Sequence, residues 1–133
     1  MTKNTILIRQ LTDFFYKQTM VEMAFLFGSE AKGKAISESD VDIAVWFREP
    51  YDDKLAEKLW QEIERLINRN VDLITLNSCR PTIAWAAMRG ARLLIRNYKF
   101  FIKQLLISSD EAEWLQEFTL DLFALRQKLR GVA

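Results

Sequence analysis

Three short apolar runs, Val21–Phe27, Val41–Phe47 and Val71–Leu76, each stop within seven residues at polar or turn-forming residues. Runs this short suit buried strands rather than helices. Gly28 ends the first, and Arg48-Glu49-Pro50 stops the second. The chain must therefore build a small sheet and cover it with whatever lies between and beyond these runs.

The intervening segments carry the helical period. Leu7, Leu11, Phe14 and Phe15 give an amphipathic helix from about Thr5 to Gln18. Asp52 or Asp53 can cap a second, running to about Asn68 with Leu55, Leu59, Ile63, Leu66 and Ile67 on its apolar face. Pro81 can open a helix through Met88 that Gly90 would end. Gly28–Ser39 reads as a turn or loop with room for one helical turn. Leu93–Ile95 fits either a short strand or a helix. Tyr98–Ile107 looks helical, and Ser108 with Glu111 forms a capping-box signature before a last helix to about Arg130. The expected fold is α/β (α+β), a small mixed sheet flanked by helices. Residues 1–133 form one domain, with 98–133 a C-terminal helical extension.

Half of the 133 residues are apolar, enough for a core without covalent staples. Lys and Arg total 19 against 18 Asp and Glu, a formal charge of +1. That balance argues against a dedicated nucleic-acid binder, though not against a local basic patch. No run reaches the length of a membrane span. No start resembling a signal peptide is visible. Cys79 is the single cysteine, which fits a reducing, cytoplasmic setting. There is no histidine, so imidazole bases, His-based triads and most zinc sites are excluded. Catalysis would rest on carboxylates, hydroxyls, Lys, Arg or the thiol.

The carboxylates are the informative group. Asp40 and Asp42 are two apart at the second strand, so both side chains leave one face. Paired carboxylates repel unless a cation lies between them. A hard ion such as Mg²⁺ accepts one or two of them and fills its shell with waters and phosphate oxygens. Gly28 permits a sharp bend or a close approach, and Ser29 offers a hydroxyl and an N–H. A triphosphate could lie on Gly28-Ser29 with its metal on Asp40 and Asp42, and Lys32 or Lys34 could add positive charge. Asp72 sits among apolar neighbours on the third strand. If that strand lies beside the second, Asp72 reaches the same site as a metal ligand, a general base, or both. The plainer alternatives are a solvated strand face for Asp40 and Asp42, an ordinary turn for Gly28-Ser29, and pairing of Asp72 with Arg65 or Arg69.

Gly28-Ser29, ten residues, then Asp40-Val41-Asp42 resembles the signature of the DNA polymerase beta-like nucleotidyltransferase superfamily. The longer match, Leu-Phe-Gly-Ser-x-Ala-Lys-Gly with Ser-Asp-Val-Asp-Ile-Ala-Val over residues 25–47, looks like its minimal nucleotidyltransferase (MNT) branch. Val71-Asp72-Leu73 resembles the family's third-carboxylate strand, and Arg89-Gly90 with its apolar run resembles the next segment. The resemblance implies the polymerase beta-like fold, with Mg²⁺ on Asp40, Asp42 and Asp72 (two ions during catalysis) and ATP as substrate. It implies that Gly28, Ser29 and Lys32 contact the phosphates. Lys32 departs from the Arg of many relatives and lacks its planar fork. MNT proteins of this size are often type VII-like antitoxins that transfer AMP to a tyrosine of a HEPN ribonuclease toxin. The resemblance therefore implies a HEPN partner. Two other readings stay open: an antitoxin that only occludes its toxin, and transfer to a small molecule or RNA.

Other features have plainer expectations. Leu115, Phe118, Leu122, Leu125 and Leu129, widened by Trp114 and Phe123, would pack on their own domain or dock a partner or second copy. Arg92, Arg96, Lys99 and Lys103 would form a basic stripe if that stretch were one helix. Cys79 reads as an ordinary small residue, and Trp46, Trp60 and Trp85 as core or core-edge residues.

Overall fold

The computed structural model describes residues 3–31 and 40–129. Helix α1 (Lys3–Tyr16) leads into strand β1 (Val21–Phe27), the single-turn helix α2 (Gly28–Ala31) and strand β2 (Val41–Phe47). Helix α3 (Asp53–Ile67), strand β3 (Val71–Thr75), helix α4 (Pro81–Met88), strand β4 (Ala91–Ile95) and helix α5 (Tyr98–Leu129) follow.

The four strands lie in the order β3-β2-β1-β4. β1 runs antiparallel to β2 and β4, while β2 and β3 are parallel. A parallel neighbour needs a long crossover, and α3 supplies it. The sheet is mixed and flanked by helices, the expected fold class.

Strand alternation divides the core in two. On one face Val41, Ile43 and Val45 pack with Ala24 and Leu26 beneath Leu7, Leu11 and Phe15 of α1 and Leu59 and Ile63 of α3. On the other, Met23, Phe25 and Ala44 pack beneath Ala84, Ala87 and Met88 of α4 and Phe101 of α5. Asp42 belongs by alternation to the second face, with Ala44 and Trp46. Asp72 belongs there too, with Ile74.

Local chemistry explains the ends of the elements. The Asp52 side chain accepts from Leu55 N–H at 2.9 Å and caps α3. Asn68 ends that helix in the left-handed region at φ 54, donating its N–H to Glu64 O. Pro81 opens α4 without a capping side chain.

One open choice is settled and three expectations are corrected. Leu93–Ile95 belongs to a strand, because Ala91–Ile95 finds an open edge of β1 to pair with. Ser108 does not start a new helix. It is buried on the face shared with Phe101 and Ala112, and α5 runs unbroken for 32 residues. The basic stripe does not form, since Arg92 lies on β4 and Arg96 just after it, whereas Lys99 and Lys103 lie on α5. Leu66, expected on the buried face of α3, is exposed, as is Trp60 at 39%. The Trp60 indole instead donates to Val71 O at 2.7 Å.

Ala112 is the last buried residue of α5 among those described. Beyond it the described side chains are exposed apart from the half-buried Gln127, and they include Leu120, Phe123 and Leu125. This part of the helix does not bury these residues in its own domain. The side chains of Trp114, Leu115, Phe118, Leu122 and Leu129 lie outside the described residues. No helix among the described residues is long and apolar enough to cross a membrane.

Candidate active site

Register brings the expected residues to one end of the sheet. Phe27, the residue before Gly28, pairs with Asp42 across β1 and β2. Asp42 pairs with Asp72 across β2 and β3. Asp40 lies two residues before Asp42, just ahead of the strand, and is exposed. Asp42 is half-buried and Asp72 exposed. The glycine turn and the three carboxylates therefore sit along one sheet end, on the face that carries α4 and α5.

Gly28 shows why its position needs no side chain. It has φ +73, a region L residues rarely occupy. A Cβ there would stand 2.2 Å from Asp42 Oδ2 and 3.1 Å from its Cγ. The Asp42 carboxylate fills the space directly over the turn.

The electrostatics follow from this crowding. Burial pushes the Asp42 carboxyl above its usual range, and the charges of Asp72 and then Asp40 push it further the same way. Among the described residues no three His, Cys, Asp or Glu side chains converge closely enough to enclose an ion by themselves. The set suits an ion that takes few protein ligands and completes its shell with water and phosphate oxygens, as Mg²⁺ does. Transition metals that want nitrogen or sulfur find no such group here.

Among the described residues the ion pair of Arg69 is with Glu30 of α2 and not with Asp72. The start of β3 is held by α3 instead. Glu64 Oε2 accepts from Val71 N–H at 2.8 Å, and the Trp60 indole donates to Val71 O. Both backbone groups before Asp72 are thus satisfied on an edge strand. No local pattern in the sequence marks these two contacts.

A cleft of about 570 Å³ opens beside the turn. Phe27, Gly28 and Ala31 form one wall; Ala86, Arg89 and Gly90 form the other. Gly90 allows the walls to meet, since a Cβ there would lie 2.4 Å from Leu26 O and 2.9 Å from Phe27 Cβ. Arg89 supplies positive charge and lies over the Trp85 ring at 5.0 Å. The cleft has the size of a small-molecule site, with polar and apolar surface in similar measure. The sequence brought Arg89 to notice only as part of a segment. Lys32 lies outside the described residues, and of Ser29 only the backbone position, in α2, is described. Burial raises the pKa of Cys79, the reverse of what a reactive thiol needs.

Comparison with known proteins bears on the family and the fold. The family described as Polymerase beta, Nucleotidyltransferase matches over residues 9–99. No curated protein matches the chain. Among solved structures, a toxin–antitoxin with AMP-PNP is similar at 20% identity and TM-score 0.71, over 92% of this chain and 97% of that one. A tri-AMPylated Shewanella oneidensis HEPN toxin in complex with MNT antitoxin contains a chain similar at 16% identity and TM-score 0.70, with 91% and 96% covered. The toxin–antitoxin MntA–HepT contains another, at 19% identity and TM-score 0.64, with 91% and 93% covered. These likenesses show a shared fold.

Proposed function

The chain belongs to the polymerase beta nucleotidyltransferase family, and from that premise we propose that it is a Mg²⁺-dependent adenylyltransferase antitoxin. Its substrate is ATP and its acceptor a tyrosine of a HEPN ribonuclease toxin. The observation that carries this reading is the alignment of Gly28, Asp42 and Asp72 on three adjoining backbone segments. Structures similar in fold include an antitoxin chain beside an AMPylated HEPN toxin and a toxin–antitoxin with AMP-PNP, which supports the choice of nucleotide and partner.

In this reading Asp40, Asp42 and Asp72 hold Mg²⁺, which neutralises charge on the triphosphate when bound. Gly28 and Ser29 receive the phosphates, with Lys32 following the turn. Arg89, across the cleft, offers a further charge. The nucleoside lies between Phe27 and Ala31 on one wall of the cleft and Ala86 on the other. The exposed Asp72 takes the proton of the tyrosine hydroxyl. The phenolic oxygen attacks the α-phosphorus, the bond to pyrophosphate breaks, and AMP stays on the tyrosine.

Residues 1–133 act as one domain, and 98–133 is its helical extension. The exposed Leu120, Phe123 and Leu125 of α5 give the extension an apolar surface for the partner. An acceptor that is itself a folded protein can close an open site of this kind.

Purified protein with labelled ATP, Mg²⁺ and its HEPN partner is expected to label the partner on tyrosine. Chelation should stop the labelling, and added Mg²⁺ should restore it. An Asp42→Asn variant that labels at the native rate would overturn the assignment. Full protection of cells by an Asp40→Ala, Asp42→Ala double variant would favour simple occlusion of the toxin.

A further inference from the structure

Helix α2 is a single turn of four residues, Gly28–Ala31. A helix this short has too few internal hydrogen bonds to hold itself. Tertiary contacts must fix it, and two of them meet on Glu30.

Glu30 is buried, which is rare for a glutamate without a partner. Its carboxylate pairs with the Arg69 guanidinium, and the two side chains are only 10% and 22% exposed. Its backbone carbonyl accepts from the Asn4 side chain of α1. The turn is thus pinned from two directions by elements distant in sequence.

The far end of the ion pair matters for the site. Arg69 lies between Asn68, which caps α3, and Asn70, whose carbonyl accepts from Val41 N–H at 2.9 Å. Val41 separates Asp40 from Asp42, and Asp72 follows Arg69 by three residues. One ion pair therefore joins the Gly28-Ser29 turn to the backbone that carries all three carboxylates.

We propose that Glu30 and Arg69 are positioning residues that hold the glycine–serine turn in register with the Asp40, Asp42 and Asp72 carboxylates, so that phosphates and metal are met together. The inference rests on the nucleotide-transfer reading above. The pair is made by Arg69 Nη1 and Glu30 Oε1, and with both side chains largely buried it fixes the distance between the turn and the start of β3. A shift of about 1 Å in such a frame can cost on the order of a hundredfold in rate.

The test uses full-length protein with Glu30→Gln and Arg69→Lys. Binding of Mg²⁺–ATP is measured by calorimetry and label transfer by steady-state kinetics, both well below each variant's Tm. Glu30→Gln should weaken Mg²⁺–ATP binding about tenfold and lower kcat/KM by about ten- to a hundredfold. Arg69→Lys keeps the charge but puts it on a shorter side chain, and should fall between Glu30→Gln and the wild type. A pair that serves only stability would lower Tm and leave affinity, KM and kcat of the folded molecules unchanged; that result overturns the proposal. If Glu30→Gln fails to fold, Arg69→Lys decides by the same criteria. A wild type that binds Mg²⁺–ATP but labels no partner would fail the functional reading, while the affinity ratios would still decide this one.

Discussion

The Asp42 carboxylate occupies the space that a side chain on Gly28 would need, with Oδ2 2.2 Å from the position of its Cβ. The glycine turn and the central carboxylate are thus one packed unit. Their relation is set by backbone conformation and strand register together.

Gly28→Ala should therefore fail twice. The methyl group must displace Asp42, and alanine must adopt φ +73. The backbone strain alone should cost about 1 kcal/mol or more. Displacement of the carboxylate should cut transfer at least about a hundredfold. Thermal unfolding and label transfer, read on the same preparation, measure the two effects. A folded Gly28→Ala protein with native activity would contradict the close packing of these residues.

Asp42→Asn should separate stability from activity. Burial and the neighbouring Asp72 and Asp40 charges raise the Asp42 pKa. A carboxyl with a raised folded-state pKa adds stability below its unfolded value, and this is lost as pH rises through the folded value. At neutral pH the ionised group therefore disfavours the metal-free fold. Asp42→Asn should raise the metal-free Tm at neutral pH. The gain should vanish at acid pH, where the wild-type carboxyl is protonated. Mg²⁺ should raise the Tm of the wild type only while the carboxylate is ionised, so its effect should fade on acidification. Melting curves across pH, with and without Mg²⁺, check each sign.

Much of this was readable from residue order. A strand period of two puts Asp40 and Asp42 on one side, and the apolar runs locate β1, β2 and β3. Adjacency of Asp72 required only that β3 lie beside β2. What could not be read depends on contacts between distant residues. Ala91–Ile95 becomes a strand because β1 has an edge free for it. The Ser108 capping signal fails because Ser108 is buried in a continuous helix packed on α4. The pairing of Arg69 with Glu30, rather than with Asp72, depends on where α2 lands.

Arg89 shares a cleft with Gly28 but lies 5.0 Å over the Trp85 ring. Stacking of this kind holds an arginine head in place while leaving its donors available. Arg89→Ala should raise KM for ATP about tenfold with little change in Tm. Arg89→Lys should recover only part of the loss, because the ammonium lacks the planar fork. Steady-state kinetics against ATP concentration tests this, and an unchanged KM would remove Arg89 from the nucleotide site.

Arg96 tests the frame away from the chemistry. Its Nε donates to Val21 O at 2.8 Å, and its terminal nitrogen to Gln18 O at 2.9 Å and Tyr16 O at 3.2 Å. These carbonyls lie at the end of α1 and on the path into β1, so one side chain past β4 ties three segments together. Hydrogen bonds from a charged donor contribute more than neutral ones, and the carbonyls at a helix end lack intrahelical partners. Arg96→Ala should destabilise the protein by about 2 kcal/mol. Arg96→Lys should restore little, since an ammonium cannot span the same carbonyls. Because Arg96 lies at the end of the sheet opposite Asp42, transfer per folded molecule should stay at the wild-type level. Urea unfolding measures the stability loss, and label transfer below the unfolding transition measures the activity. A large fall in kcat/KM in folded Arg96→Ala protein would mean that the two ends of the sheet are coupled.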